Sequence, residues 1–97
     1  MDMHSSGLAE EEIADIYRRI GIVLRKHGAF GVYLLSSKTL DRTRLEVEII
    51  ADRLDDYDTA LDEINAVSDI TDCVLYDGES MENYLLLSEA KEDGIRL

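Results

Sequence analysis

The sequence predicts an α+β fold, a small mixed β-sheet covered by helices, and three observations carry that prediction. Stretches with apolar residues three and four apart follow short apolar runs in the order α-β-β-α-β-α. Two of the runs, 32–35 and 45–51, flank one polar segment, 36–44. The length of 97 residues, 45 % of them apolar, suits one modest core in one domain. A mixed sheet with helices laid on it closes such a set of elements. Residues 8–97 are read as that domain. Residues 1–7 (MDMHSSG) have no periodic pattern and are read as a disordered or tag-like start.

Residues 8–27 read as a helix, with Ile13, Ile16, Tyr17, Ile20, Val23 and Leu24 at amphipathic spacing. Glu10–Glu12 at its start and Arg25, Lys26 and His27 at its end suit the helix dipole, and Gly28 is a good terminator. Gly21 inside the pattern costs about 1 kcal/mol against alanine, which points to a close packing partner. Residues 29–35 follow as a strand whose Val32-Tyr33-Leu34-Leu35 core lacks alternation, the sign of burial on both faces. Residues 36–44 read as a polar connection with a short helical turn. Residues 45–51 form the second strand, with Leu45, Val47 and Ile49 facing one way and Glu46, Glu48 and Ile50 the other.

Asp55 or Asp56 is placed to cap a helix running to about residue 68, with Tyr57, Leu61, Ile64 and Val67 on its buried stripe. Residues 71–76 (TDCVLY) read as a third strand, and the helix-to-strand unit 60–76 implies at least one right-handed crossover beside the earlier strands. Asp77-Gly78 makes a turn. Ser80 caps a last helix, 81–93, with Tyr84, Leu87 and Lys91 on one side and Leu86 and Ala90 on another. Gly94 ends it, and 95–97 add a short strand.

The balance of 22 acidic and 10 basic residues gives a formal net charge of −12, with lysine only at 26, 38 and 91. Such a shell suggests a high-salt cytoplasm, where self-repulsion is screened, or else an ordinary acidic archaeal or bacterial protein. It disfavours non-specific nucleic-acid binding, which needs a basic surface. Cys73 is the single cysteine, so no internal disulfide forms and the chain reads as cytoplasmic. No run approaches a membrane span or a signal-peptide core, so no membrane is expected.

Candidate chemistry concentrates on the acids of the strands. Glu46 and Glu48 share one strand face, and Asp72 opens the third strand. Three such carboxylates make a hard-oxygen site suited to Mg²⁺, and metal held this way drives in-line phosphoryl or nucleotidyl displacement. On spacing alone, alternating acids on a strand of an acidic protein are more often solvated.

The order of features resembles the minimal nucleotidyltransferase domains of prokaryotes, small relatives of the polymerase β superfamily. Ser36-Ser37 falls where that family has Gly-Ser, Glu46-x-Glu48 where it has Asp-x-Asp, and Asp72 at its third acid. Glu92-Asp93-Gly94-Ile95-Arg96-Leu97 matches its closing tail. The resemblance implies a Mg²⁺-dependent nucleotidyltransferase site at Glu46, Glu48 and Asp72. A nucleoside triphosphate would lie near Ser36, Ser37 and Arg42, and a helical protein would be the partner. Ser36 replaces the family's glycine, both strand acids are longer by a methylene, and the family's Arg-Gly is absent. These departures describe a divergent member whose catalysis has weakened or gone.

Two other readings stand beside it. One is a non-catalytic acidic interaction module that dimerises or docks a partner, since small chains gain stability by association. The other, ranked lowest, is a ferredoxin-like ligand-sensing domain, which needs a strand before the first helix. His4 and His27 read as solvent or helix-end residues, Cys73 as a small buried hydrophobe, and the five tyrosines as packing residues. Asp52, Asp55, Asp56 and Asp58 read as caps and solvating groups, because their spacing misses a calcium loop.

Overall fold

The structure, a computed structural model, describes residues 10–40, 44–68 and 71–97. Its elements are α1 (Glu10–Lys26), β1 (Val32–Leu40), β2 (Arg44–Ala51), α2 (Tyr57–Asn65), β3 (Thr71–Asp77), a 3₁₀ turn (Met81–Asn83), α3 (Tyr84–Asp93) and β4 (Ile95–Arg96). The four strands form one mixed sheet in the order β3-β2-β1-β4. β1 pairs antiparallel with β2 and with β4, while β2 and β3 run parallel, as the crossover through α2 requires. The predicted fold class and element order stand. Among the described residues no helix is long and apolar enough to cross a membrane.

Helix α1 buries Ile16, Ile20, Gly21 and Leu24, and carries its acids and bases at the dipole-favoured ends. Gly28, with φ of 105°, lets the chain leave the helix in a conformation that side chains resist. The close partner expected at Gly21 is Leu97: a Cβ at 21 would stand 3.3 Å from the Leu97 carbonyl carbon. Leu97 is held there by its N–H on the Val32 carbonyl (2.8 Å) and by Arg25 Nη2, which donates to its carbonyl (2.7 Å).

The predicted connection 36–44 is corrected. Ser36–Leu40 continue β1, paired residue by residue with β2 as far as Leu40 opposite Arg44. Ser36, Ser37, Lys38 and Thr39 are exposed, so polar residues stand on both faces there and give no alternation to read. The tip, 41–43, lies outside the described residues. A β-bulge between Leu34 and Ser36 shifts the register by one residue. Leu34 therefore opposes Ile49, Ser36 opposes Glu48, and Ser37 opposes Val47.

Asp56 is the cap of α2, accepting from the Thr59 N–H (3.2 Å) and hydroxyl (2.8 Å). The helix ends at Asn65, short of residue 68. Asn65 Nδ2 donates to the Leu61 carbonyl (3.1 Å), and its Oδ1 accepts the Cys73 N–H (3.2 Å). The predicted helix 81–93 divides into the 3₁₀ turn and α3. The Asn83 N–H bonds the Ser80 carbonyl at the tighter 3₁₀ spacing, and its side chain holds the Asp77 carbonyl (2.9 Å). Ser80 makes no side-chain cap bond, and Tyr84 points to solvent rather than onto a buried stripe.

The two faces of the sheet are closed unequally. Leu45, Val47, Ile49 and Ala51 of β2, with Val32 and Leu34 of β1 and Leu75 of β3, join Ile16, Ile20, Leu24, Ala60 and Ile64 beneath α1 and α2 in one cluster. Full burial of such a side chain stabilises by about 1.5–3 kcal/mol. On the other face Ile50 is fully buried, whereas α3 contributes only Ala90 as a buried residue.

Candidate functional site

Strand register decides where the predicted residues stand. Residues paired across parallel strands point to the same face, so Asp72 lies beside Glu46, and Val74 beside Glu48. Across β1, Lys38 opposes Glu46 and Ser36 opposes Glu48. Glu46, Glu48, Asp72 and Ser36 therefore share the second face of the sheet. Ser37 turns to the first face, where its Oγ accepts the Tyr17 hydroxyl of α1 (2.5 Å). Arg42 lies outside the described residues.

Sharing a face does not gather the acids. Asp72 is engaged by Arg44, whose Nη2 lies 2.7 Å from Oδ1 and 2.6 Å from Oδ2. Among the described residues no three His, Cys, Asp or Glu side chains stand close enough to hold one metal ion. As placed, these carboxylates do not form the compact oxygen shell that Mg²⁺ demands. The backbones of Ser36 and Ser37 lie in the β1–β2 ladder, so no loop of free N–H groups faces a phosphate there.

The remaining titratable groups have structural partners. Asp52 accepts the N–H groups of Phe30 and Gly31 (both 2.9 Å), fixing the turn into β1. Glu63 joins Lys26 (2.7 Å) and His27 (2.9 Å), clamping the end of α1 to α2, and those two donors lower its pKa. His27 thus takes the expected helix-end place. Burial pushes the Cys73 thiol up to about 11, leaving it protonated at neutral pH.

A different region has the features of a recognition surface. A cleft of about 480 Å³ runs along the free edge of β3, between Tyr57, Val74 and Tyr76 on one side and Ser80, Glu82 and Asn83 on the other. Ser80 also lines a second cleft of about 280 Å³, with Glu79, Met81 and Tyr84. Large apolar side chains that line these clefts stand open: Met81 is 93 % exposed, Tyr84 67 % and Val74 41 %.

Charge divides the molecule in the same place. Residues 54–90, which form α2, β3, the 3₁₀ turn and α3, hold eleven acids and no Lys, Arg or His. The rest of the chain holds eleven acids, ten Lys or Arg and both His. Bases from the balanced part reach Asp55, Glu63 and Asp72, whereas Asp77, Glu79 and Glu82 around the clefts pair with no cation among the described residues. The base-free run was the available sequence signal for this surface. Tyr84 and Met81 were hidden because helical spacing cannot tell an inward stripe from an outward one.

No family model, curated protein or solved structure matches the chain.

Proposed function

We propose that this chain is a non-catalytic acidic interaction module that docks a partner protein. One observation carries the reading: exposed Met81 and Tyr84 line a cleft beside Asp77, Glu79 and Glu82, which pair with no cation among the described residues. Apolar surface of this kind, rimmed by like charge, marks contact sites rather than solvated faces. Nucleotide handling finds less support. Asp72 is tied to Arg44, and the strand runs on where a phosphate-binding loop would stand.

Calorimetric titration with millimolar Mg-ATP tests the choice. The module reading expects no saturable heat. Saturable heat that disappears in Glu46→Gln/Glu48→Gln overturns it and restores a nucleotide site on the second face of the sheet.

A further inference from the structure

The geometry points to the paired clefts beside β3 as the dock for a basic segment of a partner protein, anchored by one or two apolar side chains. This deepens the interaction-module reading and rests on it. The clefts share Ser80 as a lining residue and offer apolar contact from Val74, Tyr76, Met81 and Tyr84. Asp77, Glu79 and Glu82 stand around that contact, and no base among the described residues pairs with them. A ligand that fits presents apolar groups at its centre and Lys or Arg at its margin.

Other occupants fit less well. A second copy brings the same uncompensated acids, on a chain whose net charge is −12. Strand addition to β3 meets edge groups already in use: the Cys73 N–H is taken by Asn65, and the Leu75 carbonyl by the Tyr57 hydroxyl (2.5 Å). These two side chains of α2 protect the edge that β-augmentation would need. A nucleic acid brings phosphates toward unpaired carboxylates. The contact is thus made by side chains, in clefts sized for a few of them. It belongs with small, reversible interfaces.

Fluorescence anisotropy with a labelled amphipathic Leu/Lys peptide tests the dock, with a Leu/Glu peptide of the same pattern beside it. The Leu/Lys peptide binds saturably and the Leu/Glu peptide does not. Met81→Ser/Tyr84→Ser weakens binding about tenfold, a loss of about 1.4 kcal/mol. Glu79→Gln/Glu82→Gln weakens it and flattens its salt dependence. Glu11→Gln/Glu12→Gln, an equal loss of charge on α1, leaves it within about twofold. All six positions are exposed, and circular dichroism checks that each variant is folded. Binding that ignores Met81 and Tyr84, or falls equally with the α1 charges, is general attraction to an acidic protein and overturns the dock. Absence of Leu/Lys binding overturns it as well, as does a dimer dispersed by Met81→Ser/Tyr84→Ser, which makes a second copy the occupant. None of these results bears on Mg-ATP, so failure of the dock and failure of the module reading are told apart.

Discussion

The two faces of the sheet are built from the same three long strands, yet they are finished differently. The first is sealed by α1 and α2 over an apolar cluster from Ile16 to Leu75. The second buries Ile50 but leaves Glu46 and Glu48 half-buried and Asp72 and Val74 exposed, and its cover α3 buries only Ala90 of its own. The difference shows where the sequence places its folding energy and where it places surface. Apolar residues at odd positions of β2 hold the fold together, and acids at even positions contribute little to it.

The largest effect expected from this contrast is a pair of neighbouring substitutions. Ile49→Ala, at a fully buried site, costs about 2–5 kcal/mol in urea unfolding. Glu48→Gln, one residue on and on the other face, stays within about 0.5 kcal/mol. Equal losses at the two positions break the comparison, because the second face then has a structural load of its own.

A smaller change of opposite sign comes from Thr71. It is buried on the first face, and its hydroxyl has no hydrogen-bond partner among the described residues. An unsatisfied buried group costs about 1–3 kcal/mol, so Thr71→Val raises stability by about 1 kcal/mol in the same assay. A loss on this substitution reveals a partner for the hydroxyl.

The smallest effect is the pH dependence of the clamp between α1 and α2. Lys26 and His27 lower the Glu63 pKa below its ordinary 4.5 in the folded state. A depressed carboxylate pKa contributes stability above the unfolded value, lost as pH falls through the folded one. The melting temperature of Glu63→Gln therefore lies below that of the parent at neutral pH and converges with it as the pH falls below 4.5 and through the lowered folded value. A gap that widens on acidification contradicts the clamp.

How much of this was legible in the sequence follows from which residues alternate. The 45–51 run reads as a strand because one face is buried and the other is not, and its two faces came out as the structure has them. The 36–40 extension was hidden for the converse reason. Ser36, Ser37, Lys38 and Thr39 are exposed on the protruding hairpin, so no hydrophobic period marks them. The bulge at Leu34/Ser36 was illegible too, since a one-residue register shift leaves composition unchanged. It decides that Ser36 and Ser37 part company, one beside Glu48 and the other under Tyr17. Glu46, Glu48 and Asp72 were rightly put on strands. Their wider arrangement depends on Arg44, whose pairing with Asp72 bridges strands far apart in sequence.

Amide chemical-shift mapping tests most directly the claim that the end around β3 and the 3₁₀ turn meets partners while the strand acids do not handle nucleotides. On addition of the Leu/Lys peptide, shifts are predicted at residues 74–84, with residues 16–24 unmoved. Mg-ATP is predicted to move neither set. Shifts at Ser36, Glu46 and Glu48 on adding Mg-ATP, with a silent 74–84 stretch on adding peptide, contradict the account.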